Sequence, residues 1–179
     1  MKKFLFLLAA AATFAACNSG EEARVDSITA NIDSADNVSY PYEIGYSSKF
    51  EIGDPQQSKM ILELWKDFDN GDVSRHKDYF ADSVQMLFPD GSSMHDIKDS
   101  IIAATNSYRS TYSSVTSRVD AVLSTKSIDK EENWVCVWGK EIHTMQGKTD
   151  STDLHEAWRF NKNGKIDFMM QYARSAPKK

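Results

Sequence analysis

The chain has 179 residues, 41% of them hydrophobic and 11% aromatic, and a formal net charge of −5 at pH 7. That length holds one domain of roughly 100–150 residues with segments to spare, and four Trp, seven Tyr and nine Phe exclude disorder along most of it. An acidic chain without runs of Lys or Arg offers no basic face to phosphates, which excludes nucleic acid and an anionic membrane surface as binding partners.

Residues 1–16 read as an export signal: Lys2-Lys3 is the basic start, Phe4 to Phe14 the apolar run, and Ala15-Ala16 the small residues before Cys17. The apolar run is too short to span a membrane, which takes about 20 such residues. Its removal takes out Lys2 and Lys3 and no acid, so the mature charge falls to −7. Residues 17–50 are rich in Ser, Asp, Asn and Glu without periodicity and predict a flexible tether; residues 51–175 predict the folded domain. With Cys17 modified, Cys136 has no disulfide partner and is expected as a small buried hydrophobe between Val135 and Val137.

Asp54-Pro55-Gln56-Gln57 is a helix start, and Met60, Ile61, Leu64, Trp65 and Phe68 follow on one face. Asn70-Gly71 ends that helix, and Asp72 caps a short second one that runs to Phe80. Val84 to Phe88 predicts a strand closed by the turn Pro89-Asp90-Gly91. A third helix is expected over His95 to Tyr108, carrying Ile97, Ile101 and Ile102. Four strands finish the chain at about 114–123, 133–145, 150–161 and 165–174, the last three joined by turns at Gln146-Gly147 and Asn163-Gly164. Helices first and an antiparallel meander second make an α+β domain with its helices on one face of the sheet.

Two resemblances follow from these strings. Phe14-Ala15-Ala16-Cys17 resembles a bacterial lipobox, and Glu21-Glu22, Asp26-Ser27-Ile28 and Asp33-Ser34-Ala35 are similar to export and glycosylation signals of Bacteroidota lipoproteins. The likeness implies cleavage before Cys17, lipidation of that thiol, and a membrane anchor in the cell envelope, at the outer membrane on its periplasmic side or on the cell surface. Asn70-Gly71-Asp72, Tyr79-Phe80-Ala81-Asp82-Ser83-Val84, Pro89-Asp90-Gly91 and Trp158-Arg159-Phe160-Asn161-Lys162-Asn163-Gly164-Lys165-Ile166 resemble nuclear-transport-factor-2-like, or SnoaL-like, domains over roughly residues 54–174. That family implies a cone, in which a strongly bent antiparallel sheet wraps N-terminal helices and encloses a pocket. Its members include cyclases, dehydratases, a steroid isomerase and non-catalytic binding or assembly modules, so it implies a fold and a pocket without naming a reaction.

Opposed residues of a hairpin share a face. One face then holds Val135, Val137, Gly139, Glu141, His143, Leu154, Glu156, Trp158, Phe160, Met169 and Gln171. The other holds Trp134, Cys136, Trp138, Ile142, His155, Ala157, Arg159, Ile166, Phe168, Met170 and Tyr172. The first face must cover the helices, with Trp65, Phe68, Phe88, Glu141, His143, Glu156, Trp158, Met169 and Gln171 lining or filling a pocket. The second has no partner within the domain and predicts a homodimer interface.

Glu156, between Leu154 and Trp158 with Gln171 opposite, is the candidate perturbed carboxyl, and His143 its candidate acid/base partner. The main expectation is a non-catalytic pocket for a small apolar or amphipathic molecule, or an assembly module. The alternatives are a cyclase- or dehydratase-like enzyme using Glu156 and His143, and a protein-interaction scaffold on the outer sheet face. Aligned on Gly71-Asp72 and Phe80-Ala81-Asp82, the isomerase's carboxylate base falls on Phe88 and its oxyanion Tyr on Leu64. Only its second oxyanion donor keeps a counterpart, Glu156. His76, His95, His143 and His155 show no metal-ligand spacing, and no phosphate loop, dinucleotide fingerprint or G-x-S-x-G string is present, so neither metal nor cofactor is expected.

Overall fold

The computed structural model describes residues 38–175; the export signal, Cys17 and the strings just after it lie outside the described residues. Helix α1, Pro55–Asn70, begins as its residues dictate. Asp54 Oδ1 accepts the Gln56 N–H at 2.8 Å, and Pro55 takes a position whose N–H needs no partner. The helix stops at Gly71, whose φ of 91° turns its N–H back to the carbonyls of Asp67 and Phe68. Ile61, Leu64 and Trp65 are its buried apolar face, with Met60 and Phe68 packed at the margin. Asp72 accepts the Ser74 N–H at 2.9 Å and starts the 3₁₀ segment Val73–Tyr79.

Strands β2, Phe80–Leu87, and β3, Ser93–Ile97, then form a hairpin around Pro89-Asp90-Gly91, with Met86 opposite Met94. This corrects the expected third helix. His95, Asp96 and Ile97 are strand, where β2 supplies their backbone groups with ladder partners that a helix N-terminus would leave unmet. Helix α2 runs only over Lys98–Arg109 and buries Ile101 and Ile102.

The remaining strands are β4, Ser114–Ser127, β5, Glu132–Met145, β6, Lys148–Phe160, and β7, Ile166–Ser175, with a short β1, Phe50–Ile52, on the edge of β4. The sheet order is β1-β4-β5-β6-β7-β2-β3. It is mixed rather than wholly antiparallel, because β2 pairs parallel with β7. The meander uses β7's other edge for β6, and β2 covers the edge that would otherwise stay unpaired. Residues ahead of β1, within the stretch read as tether, also touch the domain. The Tyr46 hydroxyl donates to Glu132 and accepts from Trp134 Nε1 at 3.0 Å, and Ser47 Oγ donates to Asp129 at 2.5 Å.

The hairpin register follows the turns. Met145 faces Lys148 across Gln146-Gly147, whose φ values of 50° and 75° suit a two-residue turn. Val137, Glu156 and Gln171 consequently lie side by side on β5, β6 and β7. One position departs from the expected faces. A bulge after Arg159 sets Phe160 opposite Ile166 and turns Ile166 into the core, where both are fully buried. Cys136 lies on the outer face and is half-buried.

Arg109 ties the two helices together. Its guanidinium donates to the carbonyls of Phe68 at 2.6 Å, Asp69 at 2.9 Å and Tyr112 at 2.9 Å, so it satisfies the exposed C-terminal end of α1 from the last residue of α2. The residue is buried, and its removal strands three carbonyls away from water. Arg109→Met should lower stability by about 2–4 kcal/mol in urea unfolding, and Arg109→Lys should recover less than half, because an ammonium cannot span the three acceptors. Equal recovery by Lys would refute this account.

Candidate functional site

Between the helices and the concave sheet face lies a cavity of about 710 Å³. The structure brings Trp65, Phe68, Phe88, Glu141, His143, Glu156, Trp158, Met169 and Gln171 to its wall. They reach it from α1, from the end of β2, and from β5, β6 and β7. Leu64, Met86, Met94, Ile101 and Ile102 complete the apolar part. Phe88 and Leu64 are apolar wall.

Glu156 is a buried residue of the cavity wall. Its Oε2 accepts the indole N–H of Trp65 at 2.6 Å and of Trp158 at 2.9 Å, and its Oε1 accepts the Gln171 amide at 2.7 Å. An indole N–H can only donate, so the site needs an acceptor oxygen at this position. The carboxyl is buried, and loss of water raises its pKa above the ordinary 4.5, against the opposing pull of the Gln171, Trp65 and Trp158 donors. Trp65 reaches Glu156 because residue 139 has no side chain. A Cβ there would lie 2.9 Å from the Trp65 ring and 2.5 Å from the Arg118 carbonyl.

A second polar group stands at the other end. His143 Nδ1 lies 2.9 Å from Glu141 Oε1, but out of alignment, so the nitrogen is buried without a hydrogen bond. Burial raises the Glu141 pKa, nearby His143 opposes that rise, and Glu156 and Asp69 add to it. The Tyr112 ring leans on His143 at 4.7 Å, and its hydroxyl shares a 2.6 Å hydrogen bond with Tyr108. Burial and that bond push the Tyr112 phenol well above its usual range. Opposite Glu141 across the ladder, Ser117 donates its N–H and hydroxyl to Asp69, at 3.1 and 2.8 Å, and so anchors the end of α1 to β4.

The two candidate acid/base residues are not one pair. His143 faces Asp150 on β6, and Glu156 lies six residues further along that strand, roughly 20 Å of extended chain. Each has its own partners. Tyr112 and Ser117 went unpredicted because the residues between α2 and β5 carry no turn that fixes their register from sequence, and Tyr108 because it was read only as a helix end. Among the described residues no three His, Cys, Asp or Glu side chains are grouped to hold a metal ion.

No family model and no curated protein matches the sequence. Solved structures do. AusH from Aspergillus nidulans superposes with a TM-score of 0.55 at 14% identity, covering 72% of this chain and 90% of its own. A loop-truncation variant of IdmH gives 0.52 at 15% identity, covering 66% and 92%. A SnoaL-like protein of unknown function from Burkholderia thailandensis gives 0.51 at 12% identity, covering 70% and 99%. The fold is therefore the nuclear-transport-factor-2-like, SnoaL-like α+β cone, with an unclosed sheet of seven strands.

The raised pKa of Glu156 has a direct consequence for stability. When the folded-state pKa exceeds the unfolded one, the group's contribution is complete below the unfolded pKa and is lost as pH rises through the folded one. Glu156→Gln keeps an acceptor oxygen for the indoles and cannot ionise. Its melting temperature should gain steadily on that of the wild type as pH is raised from about 4 to about 8. A gap that stays constant across this range would show that Glu156 does not titrate differently on folding.

Proposed function

We propose that this domain binds a small apolar or amphipathic molecule in its cavity and performs no chemistry on it. The observation that carries the reading is the cavity itself: about 710 Å³, with mostly apolar walls and a minority of polar groups, Glu141, His143, Glu156 and Gln171 among them. Catalysis by Glu156 and His143 is the weaker alternative, since the two belong to separate ends and Glu156 already holds three donors. Nile red, a neutral solvatochromic dye, should bind with a blue-shifted emission that saturates at one site per chain. Ala104→Trp, which pushes a ring from α2 into the cavity, should abolish that site while leaving the circular dichroism spectrum unchanged. Unaltered dye binding in this variant would sink the proposal.

The outer face supports a second element of the reading, self-association. Trp138 stacks on His155 at 4.7 Å and 10°, and His155 on Tyr172 at 6.1 Å, so an aromatic row crosses three strands with Trp138 38% and Tyr172 55% exposed. We propose that a second copy of the chain covers this row, and that lipidated Cys17 holds the domain at a membrane of the cell envelope. Sedimentation should show a dimer that Trp138→Asp converts to monomer; a wild type that stays monomeric at high concentration would remove the interface. Metabolic labelling with a fatty acid should mark the wild type and not Cys17→Ser.

A further inference from the structure

The two carboxyls of the cavity differ in how well they are satisfied. Glu156 accepts three aligned hydrogen bonds. Glu141 has a side chain only 14% exposed, and its close partner is the misaligned His143, itself left with a buried nitrogen lacking a hydrogen bond. A largely buried carboxyl whose one close partner is a poorly aligned imidazole keeps acceptor capacity that a donor arriving with a ligand would use. The surroundings specify what kind of donor. Among the described residues that line the cavity are Glu141, Glu156 and Asp90 and no Lys or Arg, so an incoming anion would meet carboxyls and nothing to pair with except His143. Near Glu141 the wall is aromatic: Tyr112 lies against His143 and bonds Tyr108, whose ring stacks on Phe68 at 6.5 Å. Such rings attract a cation through their faces. Beyond them the wall is apolar, through Phe68 and Ile101 to Met169.

We propose that the cavity takes an apolar molecule carrying a basic nitrogen, with the ammonium at Glu141 between the Tyr112 ring and the cavity interior, and the hydrocarbon part along Phe68, Ile101 and Met169. This assignment rests on the cavity being a ligand site and adds the chemistry of its ligand. Glu156 keeps its three donors and makes no ionic contact with the ligand.

The test uses three probes of one chain length: decylamine, n-decanol and decanoate, each kept well below its micellar concentration and titrated against the full chain by calorimetry. The amine should bind about tenfold more tightly than the alcohol, and the carboxylate should bind more weakly than either. Glu141→Gln should reduce the amine to the alcohol's affinity while the alcohol's own affinity stays as in the wild type. Ala104→Trp should abolish binding of all three, which separates the cavity from the exposed outer face. Equal binding of the three probes, tightest binding of decanoate, or an amine preference that survives Glu141→Gln would each overturn this inference and leave the cavity as a ligand site. Failure of all three probes to bind would overturn both.

Discussion

Two tryptophan indoles from different elements, α1 and β6, converge on a single carboxyl oxygen, and the position of the helix against the sheet depends on that meeting. Because an indole N–H donates and never accepts, no apolar residue at 156 would satisfy Trp65 and Trp158, and an amide or acid is required. The arrangement reaches further along the sheet. Gly139 on β5 must lack a side chain for the Trp65 ring to approach that strand so closely, and Gln171 on β7 must present its amide to the second oxygen. Three neighbouring strands and one helix are thus set by one side chain that is costly to bury alone and strongly held once its donors are in place.

That hub also shapes one part of the cavity wall. Trp65 and Trp158 are the largest side chains there, and hydrogen bonding pins their polar edges to Glu156. With those two rings fixed, Ala104, Thr105, Leu154 and Ala173 are among the groups that line the space without filling it. Arg109 acts at the opposite end. By holding the C-terminal carbonyls of α1 from α2, it fixes the spacing of the two helices there.

Much of this was readable from short-range signals. Asp54-Pro55, Asn70-Gly71 and Gln146-Gly147 each act within a few residues, and the last of these alone fixes which residues of β5 and β6 share a face. From it follow the grouping of Glu141, His143, Glu156 and Trp158 on the cavity side and of Trp138 and His155 outside. What remained hidden depends on distant partners. Ser93–Ile97 is strand only because β2 is beside it, and β1 exists only because β4 offers an edge. Ile166 turns inward through a bulge that leaves no mark in local composition. The bond between Trp65 and Glu156 joins residues 91 positions apart, and the sequence pattern assigned both to one pocket without linking them.

The cavity holds one fully committed carboxyl, Glu156, among apolar wall residues that include Phe88 and Leu64. A buried carboxyl of this kind is readily mistaken for a catalyst. Here its oxygens are occupied by groups the fold cannot spare, since withdrawing Glu156 from Trp65 and Trp158 to act on a substrate would leave two buried indole donors unmatched. The structural demand on Glu156 and a proton-transfer role compete for the same oxygens, and the structural demand comes from two elements of the core. Chemical freedom in the cavity therefore resides at the other end, with Glu141 and His143, whose hydrogen bonding the protein itself leaves incomplete.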